Sequence, residues 1–261
     1  MIYRIVLGTL ASIFSLSALA LDLSDYRLVD LSHSYAEDTL YWPTSPTAFD
    51  KKELAFGMTD DGWFYAAYSI CTPEHGGTHI DAPIHFAQDG NSTEKIPLEN
   101  LLAPAVVIDV SENAATDRNY RLTREDITRF ESDHGKIAAG SIVLLRTGWS
   151  QYWPDAIAYL GDDTPGDASK LQFPGYGEGA SRILAEDRGV AILGVDSASV
   201  DYGRSKDFIV HRVAAARGVS NLENLTNLDQ VPATGAIILA LPMKIEGGSG
   251  GPVRVVALVP K

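Results

Sequence analysis

The sequence predicts a single α/β domain built on a mixed sheet. Seven short runs rich in β-branched and other apolar residues recur along the chain, and helix-like segments lie between some of them. No internal repeat or low-complexity linker divides the chain. Hydrophobic residues make up 45% of its 261 positions, which supports a real core and excludes a disordered chain.

In order, the strand-like runs are RLVDLS (27–32), YAAYSICT (65–72), AVVIDV (105–110), SIVLLRTGW (141–149), VAILGVD (190–196), AIILALP (236–242) and VRVVALV (253–259). Many are continuously apolar rather than alternating, which suits strands covered on both faces. The first helix signal has Thr123 as N-cap, Asp126 at the third helical position, apolar Ile127 and Phe130, and Gly135 as a stop. Two further helices are expected over 178–189 and 207–218, ending at Gly189 and Gly218. The polar stretch 161–177 reads as a long surface loop.

The chain opens MIYRIVLGTLASIFSLSALA. Arg4 makes a short positive start, residues 5–19 are uncharged, and Ala18-Leu19-Ala20 matches an A-x-A cleavage site. This is the pattern of a secretory signal peptide. The expected organisation is a leader over 1–20 and one domain over 21–261, periplasmic or secreted after cleavage near Ala20. The apolar run is shorter than the roughly 20 residues a membrane helix needs, and no other run is long enough, so no membrane association is expected after cleavage. Losing the leader removes Arg4 and no acid, taking the formal charge from −13 to −14. So acidic a chain is a poor match for nucleic acid or anionic lipid.

A single cysteine leaves an exported chain without an internal disulfide. Cys71 lies in the apolar run 65–72, where it is expected as a buried small apolar residue rather than a nucleophile. Two motifs mislead. GGSGG (247–251) formally matches the serine-hydrolase pattern, but Pro252 and a strand follow it, so it reads as a glycine loop between strands. GYGEGA (175–180) lacks the preceding strand and following acid of a nucleotide site. Asn91 and Asn224 match glycosylation sequons, which matter only in a host that glycosylates.

The informative stretch is HGGTHIDAPIHF (75–86), which holds three of the six histidines and an aspartate. Imidazole with carboxylate suits borderline divalent metals such as zinc, manganese or iron. The glycines and Pro83 argue against a helix. In an extended chain His75, His79, Asp81 and His85 would share one side. His75 and His79 would then stand about 13 Å apart, too far for nitrogens that must each reach about 2.1 Å from one ion. The chain must bend between them, and Gly76-Gly77 supplies the bend. His85 reads either as a further ligand or as a proton-transfer group.

The pattern H-x-G-T-H-x-D-x-P-x-H-F resembles the metal-dependent cyclase family, which includes bacterial kynurenine formamidases and isatin hydrolases. The likeness continues through GVDSAS (194–199), VDYGRSKDFIVH (200–211), NLENLTNLD (221–229) and LPMKIEGGSGGPVRVVAL (241–258), so it spans most of 27–259. It implies a swivelling β/β/α single domain with a mixed sheet and a homodimer or higher homo-oligomer. It implies His75, His79 and Asp81 as ligands of Mn(2+) or Zn(2+), with His85 as catalytic acid/base. His211 and Glu223 match a second metal site of formamidase members. RTGWSQYWPD (146–155) and VDYGRSKDF (200–208) are more like the isatin hydrolases.

The expected chemistry is metal-assisted hydrolysis of a non-peptide C–N bond in a small aromatic or cyclic amide, with Trp63, Phe64 and Trp149 as candidate substrate contacts. Hydrolysis of N-formylkynurenine is the alternative, although export fits cytoplasmic tryptophan breakdown poorly. An exported metal- or small-molecule-binding protein without catalysis is the reading from another class. The presence of His85 counts against it, because a pure binder needs no proton-transfer group. Another ring-opening or dehydrating reaction on the same metal is a third possibility.

Overall fold

The computed structural model describes residues 22–261, so the expected leader lies outside the described residues. Among the described residues are twelve strands: β1 Tyr26–Asp30, β2 Asp50–Met58, β3 Phe64–Cys71, β4 His79–Asp81, β5 Leu102–Asp109, β6 Arg121–Leu122, β7 Ile142–Arg146, β8 Gly175–Tyr176, β9 Ile192–Val195, β10 Ser220–Glu223, β11 Ala236–Pro242 and β12 Gly250–Pro260. The helices are α1 Leu98–Leu101, α2 Ser111–Thr116, α3 Arg124–His134, α4 Ala156–Leu160, α5 Glu178–Arg182, which runs on as a wider turn over Ile183–Arg188, and α6 Ile209–Ala215.

Eight strands form one mixed sheet in the order β1-β12-β11-β5-β7-β9-β10-β4, and β4 also pairs with β12. That last pairing closes the sheet into a barrel-like ring with β1 attached to it. The strands β5, β7, β9 and β10 run parallel, and the remaining pairings are antiparallel. Period-2 alternation divides each strand between two cores. Ile142 and Leu144 of β7 join Ala105, Ile192, Leu222, Ile80, Ile238 and Val255 in one cluster inside the ring. Val143 and Leu145 face the other way with Leu193 and Val195, and pack against Ile127, Leu184, Val210 and Ala214 from the helices. Covered on both faces, these strands must be apolar throughout.

The helix signals hold. Thr123 and Asp126 form a reciprocal capping box at the start of α3, and α5 with its wide turn ends at Gly189 in the left-handed region. Several expectations need correction. The strands β2, β4 and β10 carry no long apolar run and were not anticipated. The stretch 161–177 is a surface loop only in its first half: Leu171, Phe173 and Tyr176 are fully buried. Cys71 is exposed rather than buried. Its apolar run is β3, which pairs only with β2 in a separate two-stranded ribbon, so nothing in the described residues covers it.

Candidate metal centre

β4 is the floor of the site. Ile80 belongs to the cluster inside the ring, so alternation turns His79 and Asp81 to the outer face. Upstream, Gly76 and Gly77 take φ of 153° and 56°, making the bend that the ligand spacing demanded. A Cβ on Gly76 would overlap the Tyr41 ring, and one on Gly77 would lie 2.7 Å from Tyr35 Cζ, so glycine is required there for space as well. Downstream, Pro83 opens a single 3₁₀ turn that ends on His85.

Pairing of β4 with β10 brings in more distant candidate donors. Glu223 of β10 stands in register with His79. α6 lays His211 over both. Two groups of possible donors result, His75/His79/Asp81 and Asp81/His211/Glu223, each with its donor atoms within 4.8 Å of one another. Asp81 belongs to both. Its Oδ1 lies 2.7 Å from His75 Nδ1 and 3.3 Å from His79 Nε2, while its Oδ2 lies 3.1 Å from His211 Nε2. Glu223 reaches both groups as well, at 3.5 Å from His79 Nε2 and 3.2 Å from His211 Nε2.

Outer partners orient these rings. His79 Nδ1–H donates to the Gly77 carbonyl at 3.0 Å, leaving Nε2 turned to the carboxylates. His211 Nδ1–H donates to Asp201 Oδ2 at 2.8 Å, which likewise leaves Nε2 inward. Asp201 also accepts the backbone N–H of Val210 and His211, so one carboxylate starts α6 and aims its histidine. Asn224 donates to the same Gly77 carbonyl, and its own Oδ1 accepts from the Tyr159 hydroxyl. Asn224 is 4% exposed, so the sequon reading fails there: its amide is committed inside the fold.

The charges of the site call for a cation. Burial alone would lower His79. Its hydrogen bond to Asp81 and the charges of Asp81 and Glu223 outweigh this and raise it to about 8. His211 is held well above the ordinary histidine value against its burial by Asp201, Asp81 and Glu223. Asp81, which burial would raise, is held well below the carboxylate range by the three histidines. Asp81 and Glu223 with His75, His79 and His211 form an imidazole–carboxylate donor set that suits a borderline divalent ion.

His85 belongs to neither donor group. Its ring stacks on His75 with centroids 3.9 Å apart, and burial pushes it down to about 4, which leaves the ring neutral near pH 7. Beside it opens a cavity of about 400 Å³ walled by Leu40, Tyr41, Trp42, Phe86, Leu160 and Phe208. The three aromatics expected to touch substrate are not part of this wall. Trp149 is core, 3% exposed with its indole N–H on the Tyr159 carbonyl, and Trp63 and Phe64 stand exposed at the β2–β3 ribbon. Sequence reasoning missed Asp201, Asn224, Trp42 and Phe208 because no spacing rule ties them to the motif.

The model of a family described as putative cyclase matches residues 29–202. The chain belongs to that family. Among its relatives, the isatin hydrolase of Roseibium aggregatum is 37% identical over 210 residues, covering 77% of this chain and 78% of that protein. The kynurenine formamidase of Salinibacter ruber is 31% identical over 233 residues, 88% and 96% of the two chains. Two solved structures share the fold closely. Isatin hydrolase A from Labrenzia aggregata bound to benzyl benzoate superposes with a TM-score of 0.84 at 34% identity, covering 91% of this chain and 95% of the other. An isatin hydrolase bound to the product analogue thioisatinate gives 0.82 at 30% identity, with 91% and 94% covered. The cyclase-family membership implied by the motif at 75–86 therefore holds.

Proposed function

We propose that this chain is a divalent-metal-dependent hydrolase that opens the C–N bond of a small cyclic aromatic amide, with isatin to isatinate as its reference reaction. The observation that carries the reading is Asp81 shared between two donor groups at the foot of an aromatic cavity, with neutral His85 beside them. His75, His79 and Asp81 would hold one ion, and Asp81, His211 and Glu223 would hold a second where one is taken up. When bound, Mn(2+) or Zn(2+) supplies the Lewis acidity that activates water and polarises an amide carbonyl. His85 accepts a proton from the attacking water and returns it to the leaving nitrogen as the C–N bond breaks. Trp42, Phe86 and Phe208 offer aromatic faces to a planar ring.

The test follows isatin absorbance with the manganese- or zinc-loaded protein and with the chelated protein. Metal-dependent loss of isatin supports the reading. Turnover of N-formylkynurenine alone would move it to the formamidase alternative, and bound metal without turnover of either would leave a binding protein.

The same reading takes in the family's swivelling β/β/α architecture, a homodimer and export. Leu54, Phe56, Met58, Phe64 and Ile70 of the ribbon are each more than half exposed, a patch that suits a second copy of the chain. Light scattering should then give twice the protomer mass, and Phe56→Glu should lower it to one. Protein from the exported fraction should begin at Leu21.

A further inference from the structure

Of the three histidines in the two donor groups, His79 and His211 take their orientation from a carbonyl and from a carboxylate. His75 is served differently, by the 247–251 glycine loop whose residues formally match the serine-hydrolase pattern. Its Nε2 lies 2.8 Å from Ser249 Oγ, and Ser249 Oγ lies 2.6 Å from Glu74 Oε2. The same Glu74 oxygen accepts the Ser249 backbone N–H at 2.9 Å.

The donors in this chain can be assigned. A carboxylate only accepts, so the one hydroxyl proton of Ser249 goes to Glu74. Ser249 Oγ can then only accept from His75, which places a proton on Nε2. In the neutral ring the bare nitrogen is therefore Nδ1, the atom that faces Asp81 at 2.7 Å. We propose that Glu74 and Ser249 are positioning residues that lock His75 in the tautomer able to bind the ion through Nδ1. The proposal rests on the reading of this cluster as a metal centre.

The loop is built to hold Ser249 there. Its carbonyl accepts from Ala82 N–H at 2.8 Å, just past β4. Thr93 N–H donates to the Gly248 carbonyl at 2.9 Å, and Gly247 N–H donates to Glu94 Oε2 at 3.1 Å. Gly250 lies flat against the imidazole: a Cβ there would stand 2.6 Å from His75 Cε1. The glycines on either side of Ser249 let the backbone come this close to the ring and to Glu74, which a Cβ on Gly248 would meet at 3.0 Å. Without Glu74 the hydroxyl is free to turn and donate to Nε2, which would move the ring proton to Nδ1 and cost the ion a ligand.

The experiment measures zinc affinity of the purified full chain by competition with a chromophoric chelator, without substrate. Ser249→Ala and Glu74→Ala should each weaken zinc binding by about 10–100-fold. Ser249→Thr and Glu74→Gln keep the hydroxyl and an acceptor oxygen, and should stay within a few-fold of wild type. The Tm of the four metal-free variants should match that of the wild type. Equal affinity of wild type and both alanine variants would overturn the proposal while leaving the metal centre intact. Equal loss in all four variants with a lowered metal-free Tm would overturn it in favour of a purely structural loop. A wild type that binds no zinc and no manganese would instead overturn the metal reading itself.

Discussion

The two halves of the candidate centre differ in how they are held. His75, His79 and Asp81 lie within one short segment, aimed by a glycine bend and a three-residue strand. His211 and Glu223 come from α6 and β10, with His211 130 residues beyond Asp81. The near half is a product of local backbone geometry. The far half depends on long-range strand pairing: β4 pairs with β10, and that register puts Glu223 beside His79. Asp81, with one oxygen toward each half, joins them.

The largest break in that comparison comes at the shared residue. Asp81→Ala should disable both halves at once, leaving no metal after gel filtration and no detectable turnover of isatin. His85→Ala separates chemistry from binding: it should keep the metal content of the wild type while turnover falls about 10²–10⁴-fold. A wild-type rate in that variant would remove His85 from the mechanism. Asp201→Ala attacks the far half alone, by releasing His211 Nδ1 and the start of α6. It should weaken zinc binding by about 10–100-fold in chelator competition, and a metal affinity equal to wild type would show that α6 aims His211 unaided.

The effect most remote from the candidate donors lies one step further out, where β9 ends. Asp196 is buried, and desolvation lifts its carboxyl to about 6 against the bonds it accepts from Thr147 and Gly148. The segment it begins runs to Ser197, whose carbonyl takes Asn224 N–H, and to Val200, whose N–H reaches Glu223. Its folded proton affinity exceeds that of the unfolded chain, so the cost of its charge is absent below about pH 4 and grows as pH rises through 6. Asp196→Asn is less stable where the wild type is protonated, and the gap should narrow by up to about 3 kcal/mol between pH 4 and pH 7 in urea unfolding. A gap independent of pH would mean that Asp196 does not titrate in this range.

Much of the near half was legible because its information is local. Histidine and aspartate at alternating positions, glycines where the chain must turn and a proline where the strand must stop all act within a few residues. The continuous apolar runs of β5, β7 and β9 disclosed a sheet covered on both faces for the same reason. The strands β4 and β10 escaped because each is short and holds polar residues on its outer face for the site rather than apolar ones for a core. Cys71 misled because an apolar run implies cover, and the β2–β3 ribbon has none within the described residues.

Residue type and spacing by themselves determined the donor set at 75–85, the need for a bend before His79 and the α/β class of the chain. The family resemblance pointed to His211 and Glu223, but only the tertiary structure set them against Asp81 and turned one nitrogen of each histidine inward. Pairing of β10 with β4 sets in contact strands that no local pattern orders, and that contact aligned Glu223 with His79. The packing of α6 and of the 247–251 loop against that surface then brought Asp201, and Glu74 with Ser249, to the outer nitrogens of His211 and His75.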